Sequence, residues 1–204
     1  MRSTETFTEQ ARREQIVGCA IETIAELGYP QASVRKIADR AGVAMSVVLY
    51  HFGDKNSLIE AVFSECYRTL IATMLPAVQA APSASAKLEA HIRAHLGYLR
   101  THRAHQIAIT EIGTGFRGKN GERAWDLAVD PAHAAARAEV ELDVILRAGI
   151  DGGEFRPVNP ASLASAIRGA IGAAILGGLA DPGFDLDGYA DDLVDAFLRA
   201  VQAP

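Results

Sequence analysis

Residues 33–58 read SVRKIADRAGVAMSVVLYHFGDKNSL, and their sequence of caps, turns and apolar positions decides the fold. Ser33 is a good N-cap, because its hydroxyl accepts from a free backbone N–H of the first turn. Val34, Ile37, Ala38 and Ala41 recur at helical spacing and predict one buried face. Gly42 follows, where a left-handed C-cap is needed and a Cβ is penalised. Val43 anchors the turn in the core. Ala44–His51 predicts a further helix of about two turns, with Val48 and Phe52 facing inward four positions apart. Gly53 ends it, Asp54 caps the next helix, Lys55-Asn56-Ser57 fill its first turn and Leu58 restarts the apolar face. Two short helices around a Gly42-Val43-Ala44 turn form a helix-turn-helix laid out for the DNA major groove.

Outward from this stretch, almost everything reads as helix. Glu9–Leu27 carries Ile16, Val17, Ala20, Ile21, Ile24 and Leu27 on one face and stops at Gly28, with Tyr29-Pro30 as a bridge. Asp54 to about Met74 is a long helix, and Pro76–Ser85 predicts a break. Helices are expected over Ala86–His102 and Gln106–Thr114, followed by an exposed loop, Gly115–Gly121. A long seventh helix, from about Glu122 to Ala148, is expected to bend or break at Asp130-Pro131. Pro160–Leu179 and Asp187–Val201 complete about nine helices. The fold class is therefore all-α, with a helix-turn-helix domain at 1–53 and a second helical domain at 54–204. No strand pattern appears, which excludes a nucleotide-binding βαβ unit.

Charge sharpens the division. The chain of 204 residues has a formal net charge of −5. Residues 1–58 balance Arg2, Arg12, Arg13, Arg35, Lys36, Arg40 and Lys55 against seven carboxylates, so the acidic excess lies beyond them. Affinity for phosphates then depends on where the bases sit rather than on bulk charge. The polar start MRSTETFTEQARRE lacks a secretory pattern, and the most apolar stretch, Ala170–Ala180, is short and broken by glycine. These features predict a cytoplasmic protein without a membrane segment, and Cys19 and Cys66 read as buried small hydrophobes.

From Arg12-Arg13 through Ala61 the matching elements resemble the TetR family of transcriptional regulators, and the run FGDKNSLIEAVF is most similar to its choline- and betaine-responsive repressors. In a helix-turn-helix the N-terminal residues of the second helix meet base edges. Here Met45, Ser46, Val47, Tyr50 and His51 face outward, with Ala44 leading in. Arg35 and Lys36 beside Ser33, Lys55, and Arg12 and Arg13 are the candidate phosphate contacts. Many relatives carry lysine or threonine near position 45, threonine at 47 and tyrosine at 49, where this chain has Met45, Val47 and Leu49. That departure predicts sparse hydrogen-bond readout, with specificity resting on methyl contacts and DNA shape, and leaves the role of Leu49 open.

The resemblance implies a homodimer on a palindromic double-stranded operator, a four-helix bundle built from the last two helices and their symmetry mates, and a small-molecule effector pocket whose occupancy moves the fourth helix. Ile167, Ile171 and Ile175 with Leu193, Phe197 and Val201 are the candidate dimer face, and Gly169, Gly172, Gly177 and Gly178 allow close approach. The other reading of that stripe is domain core. Phe63, Tyr67, Ile109, Phe116 and Trp125 are candidate apolar walls for the effector, with Tyr98 and His102 as polar anchors. A quaternary amine wants an aromatic cage, and the chain has a single tryptophan. His91, His95, Tyr98, His102 and His105 share a stripe about 80° wide. It reads as a solvated face, a pocket lining, or a metal pair such as His91 and His95. No cofactor motif, metal set or nucleophile–base constellation is recognisable. The alternatives are a DNA-binding regulator gated by a protein partner at the Gly115–Gly121 loop, and a small helical enzyme, for which Glu111 near Thr110 and Thr114 offers no catalytic spacing.

Overall fold

The computed structural model describes residues 7–118, 120–127, 134–181 and 183–202, without the side chains of Trp125, Ala134, Leu179 and Ala180. Among them stand ten α-helices, two 3₁₀ turns and no strand, only an isolated bridge between Phe155 and Gln202. The chain packs as two compact units, residues 1–67 with 103–131, and 68–102 with 132–204. Compactness thus divides the chain elsewhere than the boundary after residue 53 expected from roles.

The first unit holds α1 (Phe7–Leu27), a 3₁₀ turn (Tyr29–Gln31), α2 (Val34–Ala41), α3 (Met45–Phe52), the start of α4 (Lys55–Ala80), α6 (Arg103–Gly115) and a 3₁₀ turn (Ala124–Asp126). Ile16, Ala20 and Ile24 of α1 share a core with Ile37, Val48, Leu58, Ile59, Val62 and Ile112, all at most 1% exposed. The local signals act as their chemistry requires. The Ser33 hydroxyl accepts from Lys36 N–H at 3.2 Å, and Asp54 Oδ1 accepts from Ser57 N–H at 2.9 Å. Gly42 is left-handed, at φ 66° and ψ 33°. Ser33→Ala removes the side-chain cap at the N-terminus of α2 and is expected to cost about 1 kcal/mol in urea denaturation. No measurable loss would show that α2 holds its first turn without that hydroxyl.

The second unit holds the rest of α4, α5 (Ala84–Thr101), α7 (Ala134–Val140), α8 (Leu142–Asp151), α9 (Pro160–Ala180) and α10 (Leu186–Val201). Met74, Val78, Leu88, Ile92, Leu96, Leu142, Leu146, Ile167 and Ile171 form its core.

Three expectations are corrected here. Pro76 does not break the chain: α4 runs through it to Ala80. A proline in a helix forfeits one hydrogen bond and crowds the preceding turn, but Met74 and Val78 on either side are buried in the core, and that burial holds the helix. The break comes at Ala81–Ser83, where the Ser83 hydroxyl caps α5. Secondly, the long seventh helix does not exist, so the helices number ten rather than nine among the described residues. Arg123–Asp126 forms a capped 3₁₀ turn; the expected bend at Asp130-Pro131 lies outside the described residues. α7 and α8 part at Glu141, which is extended at φ −67° and ψ 127°. The carbonyl before it, on Val140, lies 2.8 Å from His91 Nδ1, and the Glu141 carboxylate pairs with Arg137 and Arg168. A distant side chain thus competes for a carbonyl the helix would have used.

The third concerns α9 and α10. Ile167, Ile171 and Val201 are at most 1% exposed, and Ile175, Leu193 and Phe197 are half-buried against the same core. The stripe read as a dimer face is largely this unit's own interior. The side of α9 left exposed is Ser162, Ala166, Gly169, Ala173 and Leu176, the last at 66%. α9 is also apolar throughout: Pro160–Gly178 is long and apolar enough by length and composition to cross a membrane, and only 28% of that window is buried. Isoleucine, leucine and alanine supply this hydropathy, which the short Ala170–Ala180 stretch understated.

Candidate nucleic-acid interface

α3 is fastened from three sides. Val48 and Phe52 plug it into the core of the first unit. The Gly42 turn sets its start, with Val43 N–H donating to the Ala38 carbonyl at 3.0 Å. From α1, the Arg13 guanidinium donates to the His51 carbonyl and lies over the Phe52 ring, 4.5 Å from its centroid. Two residues on, Gln15 Nε2 donates to the Ala41 carbonyl at 3.2 Å. Two side chains of α1 therefore cap the C-termini of both helices of the motif, satisfying carbonyls that helix ends leave open.

What remains of α3 faces solvent. Tyr50 is 76% exposed, Met45 49% and Leu49 37%; Ser46 is exposed, and Val47 and His51 are half-buried. Ala44 precedes the helix and offers no side-chain cap. On α2, Arg35 and Lys36 are exposed and have no ion-pair partner among the described residues. Arg40, one turn further, is held by Glu26 of α1.

The other expected phosphate contacts are differently placed. Arg12 is exposed and donates to Gln15 Oε1 at 2.6 Å. Arg13 is a strut inside the motif. The Lys55 ammonium sits 4.6 Å from the centroid of the Tyr29 ring and 3.4 Å from the Tyr29 carbonyl, and burial lowers its pKa. Tyr29 in turn donates its N–H to Glu111 Oε2 at 3.0 Å and meets the Phe116 ring edge-on at 6.3 Å. A Cβ on Gly115 would come within 2.8 Å of the Tyr29 ring, so that glycine is required by close approach.

The effector candidates fall into both units. Phe63, Tyr67, Ile109 and Phe116 belong to the first core, with Phe63 and Tyr67 stacked obliquely at 4.7 Å. Tyr98 is fully buried in the second core, and its ring lies parallel to His102 at 4.5 Å. The side chain of Trp125 lies outside the described residues. The histidine stripe is not a solvated face: His91 is buried, and His95, His102 and His105 are half-buried. The rings of His91 and His95 are 5.9 Å apart, and among the described residues no three histidines, cysteines or acids are grouped to hold a metal.

Burial, then the neighbouring His95, pushes the His91 pKa from the usual 6.5 down to about 3. The unfolded chain takes up a proton below pH 6.5 that the folded chain refuses, so stability is full above that pH and falls as pH drops towards 3. Wild type should lose up to about 1.4 kcal/mol per pH unit more than His91→Leu between pH 6 and 5. Parallel pH profiles in urea denaturation would refute this assignment. The buried Cys66 thiol is likewise pushed up to about 12, chiefly by burial, and stays protonated.

The profile of bacterial regulatory proteins of the tetR family matches residues 16–62, which are α1 through the start of α4. The solved structure of the transcriptional regulator FadR from Bacillus subtilis, in complex with stearoyl-CoA, has a TM-score of 0.75 and 26% identity, covering 93% of this chain and 99% of that one. Residues 16–62 are therefore a tetR-family domain. FadR from Bacillus halodurans shares the fold at a TM-score of 0.74 and 23% identity, covering 93% of this chain and 99% of that one. The HTH-type transcriptional regulator BetI of Escherichia coli O45:K1 is 35% identical over 80 residues. The chain spans 41% of that curated relative's length, and the match covers 39% of the chain itself. These relatives are regulators rather than enzymes.

Reading the sequence missed Gln15, Tyr29 and Glu111. Gln15 and Glu111 look like solvated polar positions until the fold brings in partners 26 and 82 residues away. Tyr29 carried one local hint: it lies between Gly28 and Pro30 in a sharp turn, where an aromatic ring has to find cover.

Proposed function

We propose that the chain is a dimeric transcriptional repressor that binds a palindromic double-stranded operator through α3 and is released by a small-molecule effector. The observation that carries this is the two-sidedness of α3: its inner face and both ends are fixed, while Met45, Ser46, Leu49 and Tyr50 are left exposed beside the unpaired Arg35 and Lys36. Fixed helix, exposed first turn and adjacent cations are what major-groove reading requires.

One such helix spans few base pairs, so specificity calls for two heads on half-sites about one helical turn apart. The exposed side of α9 supports the pairing: Gly169 and Ala173 let a second copy approach, and Leu176 needs cover. For the effector, the full-length likeness to FadR, whose structure holds stearoyl-CoA, favours an acyl-CoA over a choline-type amine. Such a regulator acts in the cytoplasm, where operator and metabolite meet.

Selection of bound duplexes from a random pool with the full-length chain tests the proposal. The expected product is a two-fold symmetric site whose binding weakens steeply with salt. Arg35→Ala should weaken all sequences alike and reduce the salt slope by about one. Long-chain acyl-CoA, and not choline, should release the duplex. Enrichment of no symmetric site would overturn the DNA-reading assignment, and release by choline alone would overturn the effector class.

A further inference from the structure

We propose that the first turn of α3 reads thymine methyl groups, so that the operator half-site is defined by where T·A pairs place their C5 methyls in the major groove. The inference rests on α3 being the recognition helix and deepens that reading to the chemical feature recognised.

The first turn is Met45-Ser46-Val47, and N-terminal residues of a recognition helix are the ones that reach base edges. Of these three only Ser46 carries a polar group. The bidentate bonds that distinguish guanine and adenine come from arginine, lysine, asparagine or glutamine, and none stands on α3. What the helix does present is apolar. Met45 is 49% exposed, and Leu49, one turn along on the same edge, is 37% exposed. Met45 and Leu49 lie only about 40° apart around the helix axis at about 100° per residue, so they form one ridge flanking Ser46 and Tyr50.

Among the four bases only thymine shows an apolar group in the major groove. A flexible thioether beside a leucine suits a methyl whose position varies slightly with DNA shape. The charge pattern fits the same division of labour. Arg35 and Lys36, exposed on the adjacent helix, attract any duplex by its phosphates, and the apolar ridge sorts the sequences that arrive.

The test uses the full-length chain and the duplex obtained by selection. Each thymine of a half-site is replaced in turn by uracil, which deletes the C5 methyl and leaves pairing and edge acceptors intact. At one or two positions uracil should weaken binding about fourfold, the effect of one buried methyl. With Met45→Ala, an exposed position whose variant is expected to fold, thymine and uracil duplexes should bind about equally at one of those positions. Arg35→Ala should weaken both duplexes alike and keep the difference. Equal affinity for thymine and uracil at every position, or a full uracil penalty that persists in Met45→Ala, overturns the inference while leaving DNA binding intact. Absence of any selected duplex overturns the recognition-helix reading and the inference together.

Discussion

Gly149→Ala is expected to destabilise the second unit by about 1–3 kcal/mol, the usual range for forcing one extra methyl into a packed core. Gly149 is buried in α8, and the chain turns back at Gly152-Gly153 so that the Phe155 ring lies directly over it. A Cβ there would come within 2.7 Å of Phe155 Cγ and closer still to the ring edge. The ring has little room to retreat, being 3% exposed, and its own N–H donates to the Gly149 carbonyl at 2.9 Å. On an exposed helix the same substitution would stabilise by up to about 1 kcal/mol through propensity, so the sign of the result is informative. Urea denaturation of Gly149→Ala, Phe155→Leu and the double variant measures the coupling. The double variant should be more stable than the sum of the two losses predicts. A stabilised Gly149→Ala protein would mean that Phe155 does not occupy this seat.

Gly169→Leu is expected to leave each protomer folded and to abolish the dimer. A Cβ at Gly169 or Gly172 meets nothing within 4 Å inside the chain, so one protomer tolerates the side chain. Two copies packed through the small residues of α9 would not. In the proposed repressor operator binding relies on two linked heads, so loss of the dimer should lower operator affinity by about 10²–10⁴-fold, the gain that linkage ordinarily provides. Sedimentation analysis and a gel shift on the same preparation read both effects. A Gly169→Leu protein that remains dimeric with unchanged affinity would move the dimer contact elsewhere.

What could be read from the sequence was what short-range chemistry determines. Ser33, Gly42 and Asp54 act within three or four residues of themselves, and each takes the cap its side chain or its missing Cβ dictates. Val48 and Phe52 are inward because their spacing leaves no other buried face on so short a helix. α9 carried no such information. Apart from Arg168 and two serines it is alanine, glycine and aliphatic residues all round, so periodicity could not say which residues meet the chain's own core and which remain for a partner. The helix break at Glu141 was equally hidden, since its cause is a histidine 49 residues upstream of Val140. Arg13 and Lys55 were recognisable as cations near the reading head, but their partners, a carbonyl and aromatic rings, come from other elements of the fold. The effector candidates were chosen by residue type alone, and type does not distinguish a core phenylalanine from a pocket wall.

The two caps supplied by α1 have a mechanical consequence. Arg13 grips the end of α3 and Gln15 the end of α2, from neighbouring positions on one rigid helix. Neither helix of the motif can tilt without dragging the other. In the proposed dimer the reading head would therefore be a fixed stamp: its imprint on one half-site is set at folding, and only the spacing and angle between two such stamps are left for a signal to change.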